Sequence, residues 1–234
     1  MWDHHSLSKL SEPHTMFLLL DLLIGLYRNW YGYKQQERGQ FIVIEGVNGI
    51  GKSTLARQLV ALFNEVEERA VLLAFPRRNT STGRVLDSYL RGHLPHLNVF
   101  ELHHLFVENR REALAEIEAL LDAGKVIVCD RFWMSGAAYS VARGLGDVNW
   151  CTEYEPEEVK RIPDVTVLLD GIDVALKTKR EKDEFVINEH FMRQVAQNFN
   201  ELFTTTKHPG KYIKIELRKH GDIHRDVFNL INKT

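Results

Sequence analysis

Cysteine is scarce in this sequence, and the positively and negatively charged residues are nearly equal in number. Two cysteines among 234 residues argue against a fold held together by disulfides. Lys and Arg number 30 against 32 Asp and Glu, so the formal net charge is −2 at pH 7. This balance is not typical of a nucleic-acid binder, and we expect no nucleic acid as a partner. A hydrophobic fraction of 44% is ample for a buried core.

Long hydrophobic runs are also missing. The most apolar stretch, residues 16–27, is too short for a membrane-spanning helix and carries Asp21 in its middle. It has no basic flank on its N-terminal side, so it would make a poorly formed secretory signal. An extra helix packed on the domain or on a partner fits equally well. We therefore expect an N-terminal extension of open role at residues 1–39, followed by one domain at residues 40–234.

The cysteine positions fit a reducing compartment. Cys129 falls in an apolar strand pattern, where we expect a buried free thiol. Cys151 is placed in a loop, where its thiol can be exposed. We expect a cytoplasmic protein, and the nucleus and the mitochondrion stay open as alternatives.

The most informative segment that the sequence does contain is a phosphate-binding loop. Its residues, Gly46-Val47-Asn48-Gly49-Ile50-Gly51-Lys52-Ser53, fit the pattern G-x-x-x-x-G-K-[ST]. The apolar run Phe41-Ile42-Val43-Ile44 precedes the loop, and a helical pattern follows from Thr54. Lys52 can reach the outer phosphates of a nucleotide, and the Ser53 hydroxyl can help to hold Mg²⁺. The loop and Thr54 thus predict binding of a nucleoside triphosphate with Mg²⁺.

Strand and helix patterns alternate from residue 41 onward. Strands are predicted at residues 41–45, 70–75, 126–129, 165–170 and 212–217, and long helices at residues 101–123 and 188–205. Short apolar strands separated by helices predict an α/β fold, a three-layer P-loop sandwich with a five-stranded parallel sheet and helices on both faces. Ligands bind at the carboxyl ends of the strands in such sheets, so the residues after each strand are candidates for the site.

Two arginines follow predicted strands. Arg78 ends the segment Phe75-Pro76-Arg77-Arg78, and Arg131 follows Asp130. The planar fork of arginine suits a phosphate, so this pair predicts a second anionic pocket opposite the phosphate-binding loop. A phosphate held there would face the terminal phosphoryl group of the triphosphate, which is the geometry for transfer between nucleotides. Taken alone, Asp130-Arg131 fits an ordinary helix N-cap with a surface cation equally well.

Two further pairs of side chains are spaced four residues apart on predicted helices. Phe106 and Arg110 share one helix face, and Ser135 and Tyr139 share another. Phe106 taken singly is more typical of a core residue than of a base-stacking one. The combination of both pairs near one cleft favours recognition of a nucleotide.

These segments resemble the thymidylate kinase family, whose members phosphorylate dTMP to dTDP. The likeness spans roughly residues 40–203, and its motifs occur in the family's order. It is carried by the signature segment Val128-Cys129-Asp130-Arg131-Phe132-Trp133-Met134-Ser135-Gly136-Ala137-Ala138-Tyr139-Ser140, by Phe75-Pro76-Arg77-Arg78, and by Leu105-Phe106 with Asn109-Arg110. Asn149-Trp150-Cys151 and Pro163-Asp164-Val165 resemble parts of the eukaryotic and poxviral branch.

The resemblance implies a role for each residue around the acceptor base and sugar. Phe106 would stack on thymine, and Arg110 would hydrogen-bond the edge of the base. Ser135 would help to read the base. Tyr139 would line the sugar and disfavour a 2′-hydroxyl. A homodimer is also implied by the family.

The resemblance likewise assigns the phosphate and metal positions. Arg78 and Arg131 would hold the monophosphate, and Asp130 would orient the metal shell and the arginines. A cis peptide bond between Phe75, which would line the acceptor site, and Pro76 would turn Arg78 toward the cleft. ATP with Mg²⁺ would occupy the phosphate-binding loop, where Lys52 is catalytic.

The sequence departs from the family pattern in the loop and in the lid over ATP. Asn48 stands where an aspartate is usual, and Gly49 stands where one branch has an arginine. Enzymes without that arginine use one from the lid, which is expected here near residues 177–188. The usual E-R-Y-E stretch of the lid reads Glu184-Phe185-Val186-Ile187, and Arg180 is the only arginine there. Arg180 is therefore the candidate transition-state cation, with a solvated surface charge as the alternative.

Two other functions stay open at this stage. One is a kinase for a different pyrimidine nucleotide, and Arg78 beside Arg131 argues against a nucleoside as the acceptor. The other is a weakly active nucleotide-binding regulator, which Asn48 and the altered lid segment would suit. Lys52 and Ser53, which are both present, argue for catalysis.

Overall fold

Five strands form a single parallel sheet, in a computed structural model that describes residues 37–65, 68–94, 97–177, 189–207, 210–217 and 223–233. The strands are β1 (Phe41–Gly46), β2 (Ala70–Ala74), β3 (Val126–Asp130), β4 (Val165–Asp170) and β5 (Lys211–Glu216). Their order in the sheet is β2-β3-β1-β4-β5. This confirms the predicted fold class, and each predicted strand is found with its ends displaced by at most one residue.

The central strand shows why the sheet takes this form. All six residues of β1 are buried, so both faces of the sheet are covered there. β1 pairs with β3 on one side and β4 on the other, with Val43 opposite both Cys129 and Thr166. The chain crosses from one side of β1 to the other between β3 and β4, which makes the carboxyl end of β1 a topological switch point.

Ten helices are assigned in the described part of the chain. They are α1 (Lys52–Phe63), α2 (Ser81–Leu90), α3 (Val99–Glu112), α4 (Leu114–Asp122), α5 (Trp133–Ala142), α6 (Val148–Tyr154), α7 (Glu157–Arg161), α8 (Ile172–Lys177), α9 (Glu189–Thr205) and α10 (His224–Asn232). α1 packs on β1, β2 and β3 and is itself covered by α10, while α5 and α9 pack on each other and contact β1 and β4 respectively.

Two sequence-based expectations were wrong in detail. The single helix predicted at residues 101–123 is two helices that meet at the buried Ala113, where the backbone changes from regular helical values to a φ of −92° and a ψ of −9°. A pattern of apolar spacing does not detect such a change. Cys151 lies in α6 and is buried instead of lying in an exposed loop, and its burial raises the pKa of the thiol to about 12. Cys129 is a buried free thiol, as expected.

Several expectations concern residues whose structure is not described. The N-terminal extension up to residue 36 and the lid from residue 178 to 188 lie outside the described residues. Within the part of the chain that is described, no helix combines the length and the hydropathy needed to cross a membrane.

A carboxylate from α3 holds the start of α2 in place. Glu112 accepts hydrogen bonds from the Ser81 hydroxyl and from the Thr82 hydroxyl at 2.7 Å, and its charge lies at the positive end of α2. Desolvation raises the pKa of Glu112. The hydrogen bonds from Ser81, Thr80 and Thr82 outweigh that effect and lower the pKa from 4.5 to about 2.

Replacing this carboxylate should cost stability in a pH-dependent way. Because the folded-state pKa of Glu112 is depressed, its stabilisation is complete above about pH 4.5 and disappears as the pH falls to about 2. Glu112→Gln should lower the free energy of unfolding at neutral pH by less than about 1 kcal/mol, since the group is exposed and screened. Urea unfolding of wild type and variant should converge on acidification. Glu118→Gln, at an exposed position of α4, is the control; a deficit in Glu112→Gln that persists at low pH would contradict the assignment.

Candidate active site

The phosphate-binding loop follows β1 directly and leads into α1, as the sequence predicts. Gly46 has a φ of 140°, and a Cβ at this position would lie 2.6 Å from the carbonyl oxygen of Leu169 on β4. Gly49 and Gly51 also have positive φ values, of 79° and 101°. These conformations are accessible to glycine, and they let the loop curl in front of the positive end of α1. The result is an anion-binding concavity at the switch point of the sheet.

Lys52 is buried inside this loop. Its Nζ donates a hydrogen bond to the carbonyl oxygen of Val47 at 2.7 Å. Burial, and then the nearby Arg131, hold the pKa of Lys52 well below its usual value, while Asp130 and Glu45 oppose the shift. An anionic phosphate bound in the loop would therefore supply a charge that the lysine needs.

Ser53 and Asp130 meet where β3 ends beside the loop. The Ser53 hydroxyl donates a hydrogen bond to Oδ2 of Asp130. The other carboxylate oxygen, Oδ1, is buried and has no hydrogen-bond partner among the residues that the structure describes. A hydroxyl and an unpaired carboxylate oxygen side by side are hard oxygen donors of the kind that Mg²⁺ prefers.

A cavity of about 350 Å³ opens next to the phosphate-binding loop. Its wall is built by the loop, by the segment that follows β2, and by helices α3, α5 and α9. All eight residues that the sequence suggests for acceptor binding line this cavity: Asn48, Phe75, Arg78, Phe106, Arg110, Arg131, Ser135 and Tyr139. The structure thus brings these residues into one cavity; Arg180, of the lid, lies outside the described residues.

Arg131 connects the loop to the cavity. It is the one non-glycine residue with a positive φ, 69°, in the described part of the chain, and this turns its side chain back over the end of the sheet. Its Nη1 donates to the carbonyl oxygen of Gly46 and to the Ser135 hydroxyl, both at 3.2 Å, and its Nη2 donates to Asn48 Oδ1 at 3.3 Å. The guanidinium also lies 5.3 Å from the ring centre of Tyr139.

Glu45, near the end of β1, is a site residue that the sequence analysis did not identify. Its buried carboxylate accepts hydrogen bonds from the backbone N–H groups of Phe132 and Ser135, at 2.9 and 3.2 Å, and from the Ser135 hydroxyl. Burial raises the pKa of Glu45, and the contacts with Ser135 and Arg131 oppose that rise. The sequence did contain a signal for Glu45, namely a charged residue at the end of an otherwise apolar strand. A buried charge requires hydrogen-bond partners, so such a residue indicates a polar site.

Arg78 reaches the cavity wall from the segment after β2. Its Nη1 donates to Oδ1 of Asp87 on α2, and the same carboxylate accepts a hydrogen bond from Nε of Arg91 at 2.8 Å. Both arginine side chains are more than half exposed. Arg78 therefore has a carboxylate partner that the sequence analysis did not identify, and its guanidinium lies at the open edge of the cavity.

Asn109 of α3 holds the segment that carries Arg78. Its Oδ1 accepts a hydrogen bond from the Arg77 backbone N–H at 2.7 Å, and its Nδ2 donates to the Arg77 carbonyl oxygen at 3.0 Å and to the Thr80 hydroxyl at 2.8 Å. The Phe75–Pro76 peptide bond is cis, as expected from the resemblance. The buried amide thereby determines where the chain bearing Arg78 runs.

Arg110 forms part of the inner wall, and it is more constrained than the sequence suggests. Its Nε and Nη2 donate to the two carboxylate oxygens of Glu155, at 2.7 and 2.5 Å, and the pair is buried. Glu155 follows α6 and was not singled out from the sequence. Arg143 was also missed; it lines the cavity beyond Tyr139, with its guanidinium 5.5 Å from the ring centre of Phe191.

The comparisons with known proteins agree on one family. The family model for thymidylate kinase matches residues 44–227. The thymidylate kinase of Schizosaccharomyces pombe is 31% identical over 202 residues, which cover 85% of this chain and 94% of that protein. The human thymidylate kinase is 34% identical over 192 residues, which cover 81% and 88%.

A solved structure shows the same likeness. The thymidylate kinase of Candida albicans, whose structure is described as revealing the origin of broad substrate specificity and a novel structural element, superposes with a TM-score of 0.69. The two sequences are 28% identical, and the match covers 83% of this chain and 91% of that one.

Proposed function

This chain belongs to the thymidylate kinase family and phosphorylates dTMP to dTDP, and we propose that it does so by direct transfer of the γ-phosphoryl group of Mg²⁺-bound ATP across the cavity beside the phosphate-binding loop. The observation that carries this proposal is the arrangement of one cavity. Asn48 of the phosphate-binding loop, the two arginines Arg78 and Arg131, and the pair Phe106 and Arg110 all line it, and Arg131 is hydrogen-bonded to the loop. Such an arrangement aligns donor and acceptor phosphates.

We assign the acceptor phosphate to Arg131 and Arg78. Arg131 is anchored to the loop through Gly46 and Asn48, so a phosphate that it holds lies close to the phosphates of ATP. Arg78 lines the same cavity and is more than half exposed, so it can exchange part of its contact with Asp87 for the phosphate. Two guanidinium groups suit a phosphate dianion, and a nucleoside acceptor would offer them no such anion.

We assign the donor phosphates to the loop. Lys52 would follow the charge on the migrating phosphoryl group. The pairing of Ser53 with the half-satisfied carboxylate of Asp130 fits a magnesium site completed by water and by phosphate oxygens. Among the described residues no cluster of three His, Cys, Asp or Glu could hold a metal without such help. When bound, Mg²⁺ would neutralise phosphate charge and orient the phosphates for in-line transfer.

We assign the base and the sugar to the inner part of the cavity. Phe106 offers a ring for stacking, and Arg110 offers hydrogen-bond donors to the edge of the base. The Ser135 hydroxyl donates to Glu45 and accepts from Arg131, which leaves one lone pair for a base N–H. Tyr139 would line the sugar, and the Asn48 amide would meet its 3′-hydroxyl as a neutral partner.

Three sequence-based expectations remain proposals. Arg180 is proposed as the transition-state cation, because Gly49 leaves the loop without an arginine. Residues 1–39 are proposed to precede the catalytic domain, and a cytoplasmic location stays a prediction.

A homodimer is likewise proposed from the family. An aromatic cluster of Phe100, His104, Trp150 and Tyr154 on α3 and α6 supports it. Phe100 and Trp150 are 45% and 37% exposed, which is typical of a contact surface.

The main test compares acceptors directly. Purified protein with Mg-ATP should release ADP fastest with dTMP and more slowly with dCMP, dGMP or UMP. Phe106 and Arg110 suit a keto pyrimidine, and Tyr139 would disfavour the 2′-hydroxyl of UMP. Removing Mg²⁺ with EDTA should abolish the release, and adding it back should restore it. Faster turnover of another monophosphate would overturn the acceptor proposed for this cavity, and metal-independent turnover would overturn the role of Mg²⁺.

Lys52→Ala should lower kcat by at least about a hundredfold, because it removes the cation that stabilises the transferring phosphoryl group. The KM for dTMP should change much less. Lys125→Ala is the matched control. Lys125 directly precedes β3, so it lies at the amino ends of the parallel strands, whereas the phosphate-binding loop lies at their carboxyl ends. Activity above about a tenth of wild type in Lys52→Ala would show that the loop is not catalytic in this way.

Arg78→Ala should raise the KM for dTMP about ten- to a hundredfold and leave the KM for ATP nearly unchanged, because a charge-assisted contact to the acceptor phosphate is lost. Arg91→Ala is the matched control: Arg91 binds the same Asp87 carboxylate but does not line the cavity. An equal loss of ATP affinity would place Arg78 at the donor phosphates instead.

A further inference from the structure

The Arg110–Glu155 pair is the most deeply buried ion pair described around the cavity. The side chains are 2% and 1% exposed, although Arg110 contributes to the cavity wall. A buried charge pair of this kind is rarely the most stabilising choice at its position, because desolvation offsets most of the Coulomb attraction. Its presence at a binding site therefore calls for an explanation in terms of geometry.

The two hydrogen bonds leave a defined set of donors. Arginine has five N–H groups in one plane. Glu155 accepts one from Nε and one from Nη2, so Nη1 and the second N–H of Nη2 remain on the edge of the guanidinium that Glu155 does not cover. A bidentate contact of this kind fixes both the position and the plane of the group, which a single hydrogen bond would not do.

Gly136 of α5 determines where this plane can lie. A Cβ built on Gly136 would come within 2.9 Å of Nη1 and 3.0 Å of Nη2 of Arg110. The guanidinium thus lies directly against the backbone of the helix that also carries Ser135 and Tyr139. Any side chain at position 136 would displace it.

His103 and the aromatic rings around it help to shield the Arg110–Glu155 pair from water, and His103 does not compete with Arg110 for the Glu155 carboxylate. His103 is buried next to Arg110, and its Nδ1 is 2.8 Å from the Ser140 hydroxyl. Burial, and then the charge of Arg110, lower the pKa of His103 to about 4, so it is neutral at physiological pH and does not compete for the carboxylate. The rings of Trp150 and Tyr154 pack on His103, with centres 5.9 and 5.4 Å away.

We propose that Glu155 and Gly136 are positioning residues for base selection, which hold the Arg110 guanidinium so that its remaining donors meet a carbonyl oxygen of the acceptor base and oppose an exocyclic amino group. The inference rests on the proposed role of Arg110 in reading the base. A free arginine could turn away from an unsuitable base. A fixed one leaves its donors facing other donors, and selectivity arises from that mismatch. The favoured acceptors are thus bases with a keto edge, such as thymine and uracil.

Glu155→Gln tests the carboxylate. It keeps the size of the side chain but removes the charge and one of the two acceptor oxygens. We expect the kcat/KM for dTMP to fall about ten- to a hundredfold, mainly through KM, with the KM for ATP unchanged, and the preference for dTMP over dCMP to fall at least about tenfold. Glu153→Gln, at an exposed position of α6, should match wild type. Equal losses with dTMP and dCMP in Glu155→Gln would indicate a merely structural role and overturn the proposal.

Gly136→Ala tests the same idea with the charges intact. The added methyl group should move the guanidinium and lower the preference for dTMP over dCMP in the same direction. This variant decides the question if Glu155→Gln does not fold, as judged by circular dichroism and thermal unfolding. An unchanged preference in folded Gly136→Ala would overturn the proposal.

Arg110→Gln separates this inference from the function on which it rests. If Glu155 acts through Arg110, then Glu155→Gln added to Arg110→Gln should change the dTMP preference less than about threefold further. A lost preference in Arg110→Gln with an unchanged one in Glu155→Gln would reject the positioning role and leave the proposed function standing. An unchanged preference in Arg110→Gln would reject the reading role itself.

Discussion

A buried carboxylate at the end of the central strand ties the site together. Glu45 lies in the most protected part of the sheet, where a charge must be hydrogen-bonded or it destabilises the fold. Its partners are the backbone N–H groups of Phe132 and Ser135 at the start of α5 and the hydroxyl of Ser135, which in turn accepts a hydrogen bond from Arg131. Arg131 reaches back to the phosphate-binding loop at Gly46. The requirement to satisfy one charge therefore holds the donor loop and the acceptor cavity in a fixed relation.

The same principle recurs at three of the four arginines that line the cavity. Arg78 is paired with Asp87 and Arg110 with Glu155, while Arg131 lies against carbonyl and hydroxyl oxygens and the ring of Tyr139. The exposed pair at the cavity mouth can rearrange around a phosphate, whereas the buried pair cannot. A chain with a net charge of −2 thus contains a cavity lined by four arginines, which its overall charge does not reveal.

Much of this architecture could be predicted because it depends on local patterns. The apolar run before Gly46, the glycines of the loop and the arginines after β2 and β3 each occupy a place that a parallel sheet converts into a site. What could not be predicted are the carboxylate partners of the arginines. Glu155 is more than forty residues from Arg110, and neither its neighbours nor its spacing indicate a partner in the cavity. The break at Ala113 and the burial of Cys151 were missed for a related reason, since both depend on how helices pack.

The sequence by itself determined the sheet, the phosphate-binding loop and the set of side chains that meet at the cavity, because short-range spacing encodes strands, turns and helix faces. Only the tertiary structure decided which of those side chains are fixed and which can move. That property depends on burial and on partners far away in the chain. Asn109 is hydrogen-bonded to the segment that carries Arg78, Glu45 to Ser135, and Glu155 to Arg110. Hydrogen bonds between distant residues form only where folding brings a donor and an acceptor within about 3 Å, and no local pattern contains that distance.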